Sequence, residues 1–93
     1  MLQASYKVPN GKLLKVKLDA TSEQIKDVRI LGDFFLHPEE TIVAIEVALI
    51  DCKINPRDIE ERIKSTLVEH DATLIGATPA DFSKTIMMAW ETR

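Results

Sequence analysis

Residues 29–40 read RILGDFFLHPEE, and this stretch marks the change from a strand-rich half of the chain to a helix-rich half. A strand-like run ends in a Gly-Asp pair, two phenylalanines follow directly, and a proline with two glutamates then begins a different pattern. Phe34 and Phe35 are two of only five aromatic residues in the chain. A turn needs no aromatic ring, so these rings must be covered by the chain's own core or by another protein.

The residues before this stretch predict a three-stranded antiparallel meander. The segment 12–19 alternates strictly, with Leu14, Val16 and Leu18 on one face and lysines on the other. Residues 3–8 and 25–31 read as the flanking strands, and the Pro-Asn-Gly sequence at 9–11 favours a tight hairpin turn. Ile25 has the wrong parity for its strand, which indicates a turn or a bulge.

The residues after this stretch predict a first helix over 38–50. Pro38 fits the first helical turn, and the two glutamates that follow suit the positive helix start. Apolar side chains cover an arc of about 200° around this helix, and almost no charged face remains. The helix must therefore be covered on more than one side. Glu46 lies inside the apolar arc, where a carboxylate needs a partner.

Two further helices begin with a capping residue followed by proline, at Asn55 and at Thr78. The second helix has an apolar stripe and two charged pairs at i,i+4 spacing, Asp58–Arg62 and Glu60–Lys64. Residues 71–77 predict a connection to the third helix that contains Leu74, Ile75 and Gly76. Strands first and helices afterwards predict an α+β fold, in which three helices pack on one face of a three-stranded antiparallel meander.

Composition narrows the possible classes of protein. A chain of 93 residues is expected to form one domain, 1–93. No apolar run reaches the roughly 20 residues that span a bilayer, and no secretory signal pattern is present, so we expect no membrane partner. With the single cysteine Cys52, no internal disulfide can form, and a cytoplasmic location is expected.

Charge is distributed unevenly along the chain, whose net charge is −3. Residues 1–30 carry six basic and three acidic side chains, whereas the remainder is strongly acidic. Two interpretations stay open: the lysines blunt a sheet edge, or Lys12, Lys15 and Lys17 face an anionic partner. Nucleic-acid binding calls for a larger positive excess with interleaved aromatic residues, so no nucleic-acid partner is expected.

No complete active site can be identified in the sequence. There is no glycine-rich phosphate loop in a strand-loop-helix context. His37 and His70 are far apart, and one cysteine gives no spacing typical of metal ligands. We therefore expect no catalytic residue, metal site or directly bound cofactor in this chain.

Residues 10–55 resemble the C-terminal accessory domain of lipoate–protein ligases, and residues 58–67 suit the next helix of that family. The resemblance spans about residues 8–70 and is most specific over 32–38. The chain has Asp51-Cys52 where the family usually has glycine after the first helix. The motifs that carry the resemblance are Gly11-Lys12-Leu13, the run from Ile25 to Ile30, Gly32-Asp33-Phe34-Phe35, Pro38, and the segment from Ile42 to Leu49 with Glu46.

The resemblance implies a fold similar to that of sulfur-acceptor and iron–sulfur scaffold proteins. It also implies a non-catalytic accessory subunit, because this domain usually follows a larger catalytic domain and here stands behind its own Met1. The expected assembly is a heterodimer with the catalytic subunit of a split ligase, which binds ATP, Mg and lipoate. That enzyme makes lipoyl-AMP and transfers the lipoyl group to a 2-oxoacid dehydrogenase subunit or the glycine-cleavage protein.

Several residues are candidates for contact with the catalytic subunit. Phe34 and Phe35 either both fill the gap beside the first helix, or one points inward and the other outward as an anchor. Asp33 either caps a turn or helix or forms an interface ion pair, and Glu46 binds Arg29, a lysine or a backbone N–H or lies at the contact. The full set of candidates is Gly32, Asp33, Phe34, Phe35, His37, Glu46, Lys12, Lys15 and Lys17.

Two alternatives from other classes remain. A sulfur acceptor would use Cys52 as an exposed reactive thiol just past the first helix, whereas the structural interpretation is an inert, partly buried thiol. A plain adaptor domain unconnected with lipoate is the other. Met87 and Trp90 near the C-terminus belong either to the core or to a partner-facing surface.

Overall fold

The computed structural model describes residues 1–9 and 11–93, and these residues form five strands and three helices. The predicted α+β class is confirmed: a three-stranded antiparallel meander precedes the first helix. Two short strands that were not predicted form a second, two-stranded sheet. The elements in chain order are β1 (Leu2–Lys7), β2 (Leu13–Ala20), β3 (Ile25–Gly32), β4 (Phe35–His37), α1 (Thr41–Ala48), α2 (Pro56–Glu69), β5 (Thr73–Ile75) and α3 (Pro79–Glu91).

The main sheet has the order β1-β2-β3, and its alternating sequence gives it one buried face. Leu14, Val16 and Leu18 are fully buried on that face, as the period of two predicts. The pairing of β2 with β3 shifts register at Asp19/Ala20, so that Ala20 lies opposite Ile25. This irregularity turns Ile25 into the core, which confirms the predicted bulge.

A tight turn joins β1 to β2, as predicted. The backbone N–H of Gly11 donates to the Val8 carbonyl at 2.8 Å, and the Val8 N–H donates to the Lys12 carbonyl at 3.1 Å. Asn10, the remaining residue of the predicted turn signal, lies outside the described residues.

Both predicted helix caps are present. The Asn55 side chain accepts hydrogen bonds from the first-turn amides of α2, and Thr78 forms a reciprocal capping box with Asp81 at the start of α3. Helix α3 packs directly on β1 and β2, whereas α2 packs on α1 and α3. The buried faces of these helices centre on Ile59 and Ile63 in α2 and on Phe82, Ile86 and Ala89 in α3.

Helix α1 begins at Thr41 and not at Pro38, so the predicted start is wrong. The reason is the pairing of β4 with β5, in which Phe35 lies opposite Ile75 and His37 opposite Thr73. This pairing holds the residues before Pro38 in an extended conformation, and the helix starts only after the turn that follows. The predicted connection over 71–77 does join α2 to α3, but it contains the strand β5, which was not predicted.

One of the two predicted ion pairs on α2 forms. The Lys64 ammonium lies 3.0 Å from the Glu60 carboxylate, and the hydrogen bond that Lys64 donates to Glu60 raises the pKa of Lys64. The Asp58–Arg62 pair is wrong, since the Arg62 guanidinium instead donates to the Ala48 carbonyl at 2.8 Å. Arg62 thus satisfies a free carbonyl in the last turn of α1 and ties α2 to that helix.

The turn after α1 contains a residue in the left-handed region. Asp51 has a φ of 66°, a conformation in which glycine is the usual residue after a helix. Aspartate tolerates it better than most side chains do, and its carboxylate lies 3.0 Å from the Lys26 ammonium. Asp51 therefore makes, without glycine, the left-handed turn after α1. In the part of the chain described, no helix is long and apolar enough to cross a membrane.

Candidate partner-docking surface

The two adjacent phenylalanines point in opposite directions. Phe34 is half-buried and meets the Phe82 ring edge to face, with the ring centroids 5.1 Å apart. Phe35 is 54% exposed, and its ring stacks on His37 with the centroids 6.4 Å apart. The interpretation with one ring inward and one outward is confirmed. Because β4 is a strand, its side chains alternate, and Phe35 is left on the surface.

Gly32 and Asp33 make this arrangement possible. A Cβ atom on Gly32 would lie 2.5 Å from the Leu13 carbonyl oxygen and 2.9 Å from the Phe34 ring, so only glycine lets that ring turn inward here. The Asp33 carboxylate accepts from the Leu13 N–H at 2.8 Å and fixes the end of the β2–β3 ladder. Asp33 therefore caps the turn after β3 and does not cap a helix.

A shallow groove of about 300 Å³ lies between the end of β3, β4 and the approach to α1. Its walls are mostly apolar, and the outward-facing Phe35 forms one rim. We call it the β4 groove. The residues that line it are Ile30, Leu31, Gly32, Phe34, Phe35, Leu36, Glu39 and Ile42.

Helix α1 extends this apolar surface. Its inner side is buried through Thr41, Ile45 and Leu49. On the outer side Val43 is 55% and Val47 60% exposed, and Ile50 just beyond the helix is also exposed. We call these three residues, Val43, Val47 and Ile50, the α1 stripe. On the helical wheel only Glu46 separates the stripe from Ile42, so the stripe runs alongside the β4 groove. The predicted covering of α1 on more than one side is therefore not supplied by residues 1–9 and 11–93, which the structure describes.

Glu46 lies between the groove and the stripe and binds the edge of the main sheet. Its carboxylate accepts from the Ile30 N–H at 2.8 Å. That N–H points away from β2, on the open side of β3, where an unpaired donor would attract another strand. Of the partners considered for Glu46, the backbone N–H is the one found.

The remaining candidates lie in different places. His37 is exposed and stacks on Phe35, close to the β4 groove. The Lys12 N–H donates to the Gly76 carbonyl at 3.1 Å, which puts this residue beside the end of β5. Lys15 and Lys17 are exposed on the outer face of the sheet, away from its helix-covered side. The structure therefore brings the Gly-Asp-Phe-Phe residues together and separates two of the three lysines from them.

Sequence reasoning missed several residues of this surface. The residues that were not predicted are exposed and apolar: Leu31, Val43, Val47, Ile50 and Ile75. For α1 a signal existed, since the helical wheel showed almost no charged face. For Ile75 the sequence contained no such signal, because the position of Ile75 opposite Phe35 depends on the pairing of two three-residue strands.

Cys52 does not have the exposure that sulfur-transfer chemistry requires. Its side chain is buried, with 1% exposure. Burial raises the pKa of the Cys52 thiol, while nearby Arg62 lowers it and Asp58 adds to the increase. Burial and the Asp58 charge together outweigh Arg62, and the raised pKa keeps the thiol neutral and unreactive. Within the described residues, no group of three or more His, Cys, Asp or Glu side chains could hold a metal ion.

The C-terminal helix contributes to the core and also to the surface. Met87 and Trp90 are half-buried and pack against the core cluster. The Trp90 indole N–H donates to the Thr21 carbonyl at 3.4 Å, and the Arg93 guanidinium lies 3.5 Å from the ring centroid. The core interpretation of these two residues is therefore supported by their contacts.

Comparison with known proteins connects this fold to a family. A family model described as bacterial lipoate protein ligase C-terminus matches residues 1–86. The chain belongs to this family. Lipoate-protein ligase A subunit 2 of Thermoplasma acidophilum is 41% identical over 46 residues, which are 50% of this chain and 48% of that protein. The match thus spans about half the length of this curated relative.

A solved structure is similar to this ligase C-terminal chain over nearly the whole length of both chains. That structure comes from the analysis of an archaeal lipoylation system, a bi-partite lipoate protein ligase and its E2 lipoyl domain from Thermoplasma acidophilum. The similar chain has 30% sequence identity and a TM-score of 0.77, over 92% of this chain and 94% of that one. The order and packing of the elements are therefore those of this ligase C-terminal family.

Proposed function

We propose that this chain is the accessory subunit of a two-subunit lipoate–protein ligase, and that the β4 groove and the α1 stripe dock on the catalytic subunit. The observation that carries the proposal is the exposed apolar surface of α1 and β4 on a member of the ligase C-terminal family. An apolar helix face beside an aromatic anchor is typical of a lasting protein contact. A relative named subunit 2 of a ligase agrees with this assignment.

The reaction that the complex would perform has two steps. The lipoate carboxylate attacks the α-phosphorus of ATP and pyrophosphate leaves; an acceptor lysine then attacks the acyl carbon and AMP leaves. ATP, Mg and lipoate would bind the catalytic subunit. This chain would order or cover the loops of that site, because a closed site keeps water away from the acyl-adenylate. The chain would work where its partner works, in the cytoplasm.

The acceptor proteins would be lipoyl-carrying domains of 2-oxoacid dehydrogenases or the glycine-cleavage protein. The related bi-partite ligase was analysed together with its E2 lipoyl domain. A chain that docks on the catalytic subunit would meet this acceptor in the second step. Separate measurements of lipoate activation and of lipoyl transfer decide which of the two half-reactions depends on the accessory subunit.

The test is lipoate-dependent ATP–pyrophosphate exchange, measured on each subunit alone and on the two subunits co-expressed from the same source. We expect exchange from the complex and none from this chain by itself. Equal exchange by the catalytic subunit without this chain would contradict the accessory role. A complex that never forms would contradict the proposed docking surface as well.

Phe35→Ala tests the docking surface directly. If Phe35 is an anchor, its truncation weakens subunit binding by about 1–3 kcal/mol, because a large desolvated ring is lost from the contact. Binding is measured by titration calorimetry, and thermal unfolding of the variant reports on the fold. An unchanged dissociation constant would show that Phe35 lies outside the interface.

The sulfur-acceptor alternative is not favoured, because Cys52 is buried and its thiol stays protonated. Alkylation of the native chain tests this point: lipoylation should persist after treatment with iodoacetamide. The adaptor alternative makes a different prediction, namely binding to a partner with no effect on exchange.

A further inference from the structure

The outer face of the main sheet concentrates positive charge. The register of the strands places Lys17 directly opposite Arg29, with both side chains on the face that the helices leave open. Lys15 lies two residues along β2, and Lys7 on β1 lies opposite Leu13, diagonal to Lys15. We call Lys7, Lys15, Lys17 and Arg29 the basic sheet face. All four are exposed.

These charges are poorly compensated within the chain. Like charges directly opposite each other on neighbouring strands destabilise a sheet. Among the described residues, no carboxylate lies within 4.0 Å of Lys7, Lys15 or Lys17, and Arg29 reaches Asp27 only at 3.9 Å. The whole chain has a net charge of −3, so this cluster is a local arrangement and not a consequence of a basic composition.

One end of the same face carries negative charge. Asp19 lies directly opposite Asp27 at the far end of the β2–β3 pair. At the near end the exposed Leu13 and Leu31 flank the cations. A face with separated charges and an apolar border fits a folded protein with a complementary acidic patch. A nucleic acid fits less well, because the outward side chains of β1–β3 include no aromatic ring for base stacking and the two aspartates repel phosphate.

The two surfaces of the chain suit different kinds of contact. The β4 groove and the α1 stripe are apolar, as lasting subunit interfaces are. A flat charged face supports fast association that salt weakens, which suits a partner that must leave after every turnover. Leu31 lines the groove and also borders the basic sheet face. A protein bound to the basic sheet face would therefore lie beside the docked catalytic subunit.

We propose that the basic sheet face binds an acidic surface of the acyl-acceptor protein and recruits it to the ligase for the second half-reaction. This inference rests on the proposed function, because it assumes an assembled ligase. It adds a role in substrate recognition to an otherwise supporting subunit. The side chains that carry it act by long-range attraction and do not touch the reacting atoms.

The test is made on the assembled two-subunit complex with its lipoyl acceptor domain. Lys15→Gln/Lys17→Gln removes two charges from the basic sheet face. Lys53→Gln/Arg57→Gln removes two from exposed positions elsewhere and is the matched control. We expect the first variant to raise the KM for the acceptor by about tenfold, with kcat unchanged, and the difference to shrink at high ionic strength. The control should leave the KM unchanged.

ATP–pyrophosphate exchange, which needs no acceptor, separates this proposal from the proposed function. The Lys15→Gln/Lys17→Gln complex should keep full exchange activity. An unchanged KM overturns the inference, and so does a loss of exchange or of subunit assembly, which would assign the face to the catalytic subunit. Binding of an oligonucleotide that the variant abolishes while the KM stays constant would also overturn it. A wild-type complex without exchange would refute the proposed function itself.

Discussion

At the scale of single residues, Glu46 shows how a carboxylate can be stable in an apolar helix. It contributes the acceptor that the edge strand β3 lacks, through a 2.8 Å bond from the Ile30 N–H. The cost of partly burying the charge is offset by this bond, which also satisfies one N–H on the open edge of the sheet. Glu46 therefore has a structural role whether or not it also lies at a subunit contact.

Glu46→Ala should lower the free energy of unfolding by about 1–3 kcal/mol, because the Ile30 N–H loses its acceptor. Glu46→Gln should cost less, since the amide oxygen can still accept this bond. Urea unfolding followed by circular dichroism measures both. Equal losses for the two variants would mean that the charge, and not the hydrogen bond, matters at this position.

Cys52 gives a prediction about pH. Burial raises the pKa of its thiol, so between the ordinary value of 9.0 and the raised value the folded chain holds a proton that the unfolded chain has lost. Its contribution to stability is therefore complete below pH 9 and declines as the pH rises through the pKa of the folded state. Cys52→Ala should show a shallower loss of unfolding free energy above pH 9. Identical pH profiles for the two proteins would contradict the buried thiol.

At the scale of elements, α1 is the least self-sufficient part of the fold. Only one side of this eight-residue helix is buried, and the exposed side carries the α1 stripe. Short helices are marginal without tertiary contacts, so a partner on the outer side would stabilise it substantially. The charged face that the sequence lacks corresponds to this exposed apolar side, which is the side proposed to dock on the catalytic subunit.

Val47→Asp should weaken binding to the catalytic subunit at least tenfold, because a carboxylate would be desolvated at the contact. Val68→Asp is the matched control, since Val68 is 79% exposed on α2 and outside the docking surface. Both dissociation constants are measured by calorimetry. If both substitutions weaken binding alike, the effect is one of net charge and α1 is not the interface.

Strands β4 and β5 show the limit of local patterns. Each has three residues, too few for an alternation of apolar and polar side chains to be recognised. Each is stabilised by the other, although the whole of α1 and α2 lies between them in sequence. The same pairing decides that Phe35 is exposed and that α1 starts later than its proline suggests.

At the scale of the whole molecule, the chain has two distinct outer surfaces on one core. One is apolar and runs from the β4 groove over the α1 stripe; the other is the basic sheet face. They meet at Leu31, at the end of the sheet where β3 leads into the Phe34–Phe35 turn. This arrangement allows two proteins to bind side by side on a subunit of 93 residues.

Hydrogen exchange should resolve the two surfaces. Binding of the catalytic subunit should slow exchange in α1 and β4 and leave the outer edge strand β1 unchanged. Addition of the acceptor domain during turnover should then slow exchange in β1 and β2. Protection spread evenly over the chain in the first step would show that the fold as a whole, and not one face, responds to the catalytic subunit.

Local sequence signals were enough to predict several elements correctly. Alternation determined β2 and its buried leucines, and the capping residues Asn55 and Thr78 determined where α2 and α3 begin, because these effects act within a few residues. The tertiary structure alone decided the β4–β5 pair, the inward and outward turns of Phe34 and Phe35, and the bond between Glu46 and Ile30. These depend on which distant segments meet, and that is set by burial of the whole core.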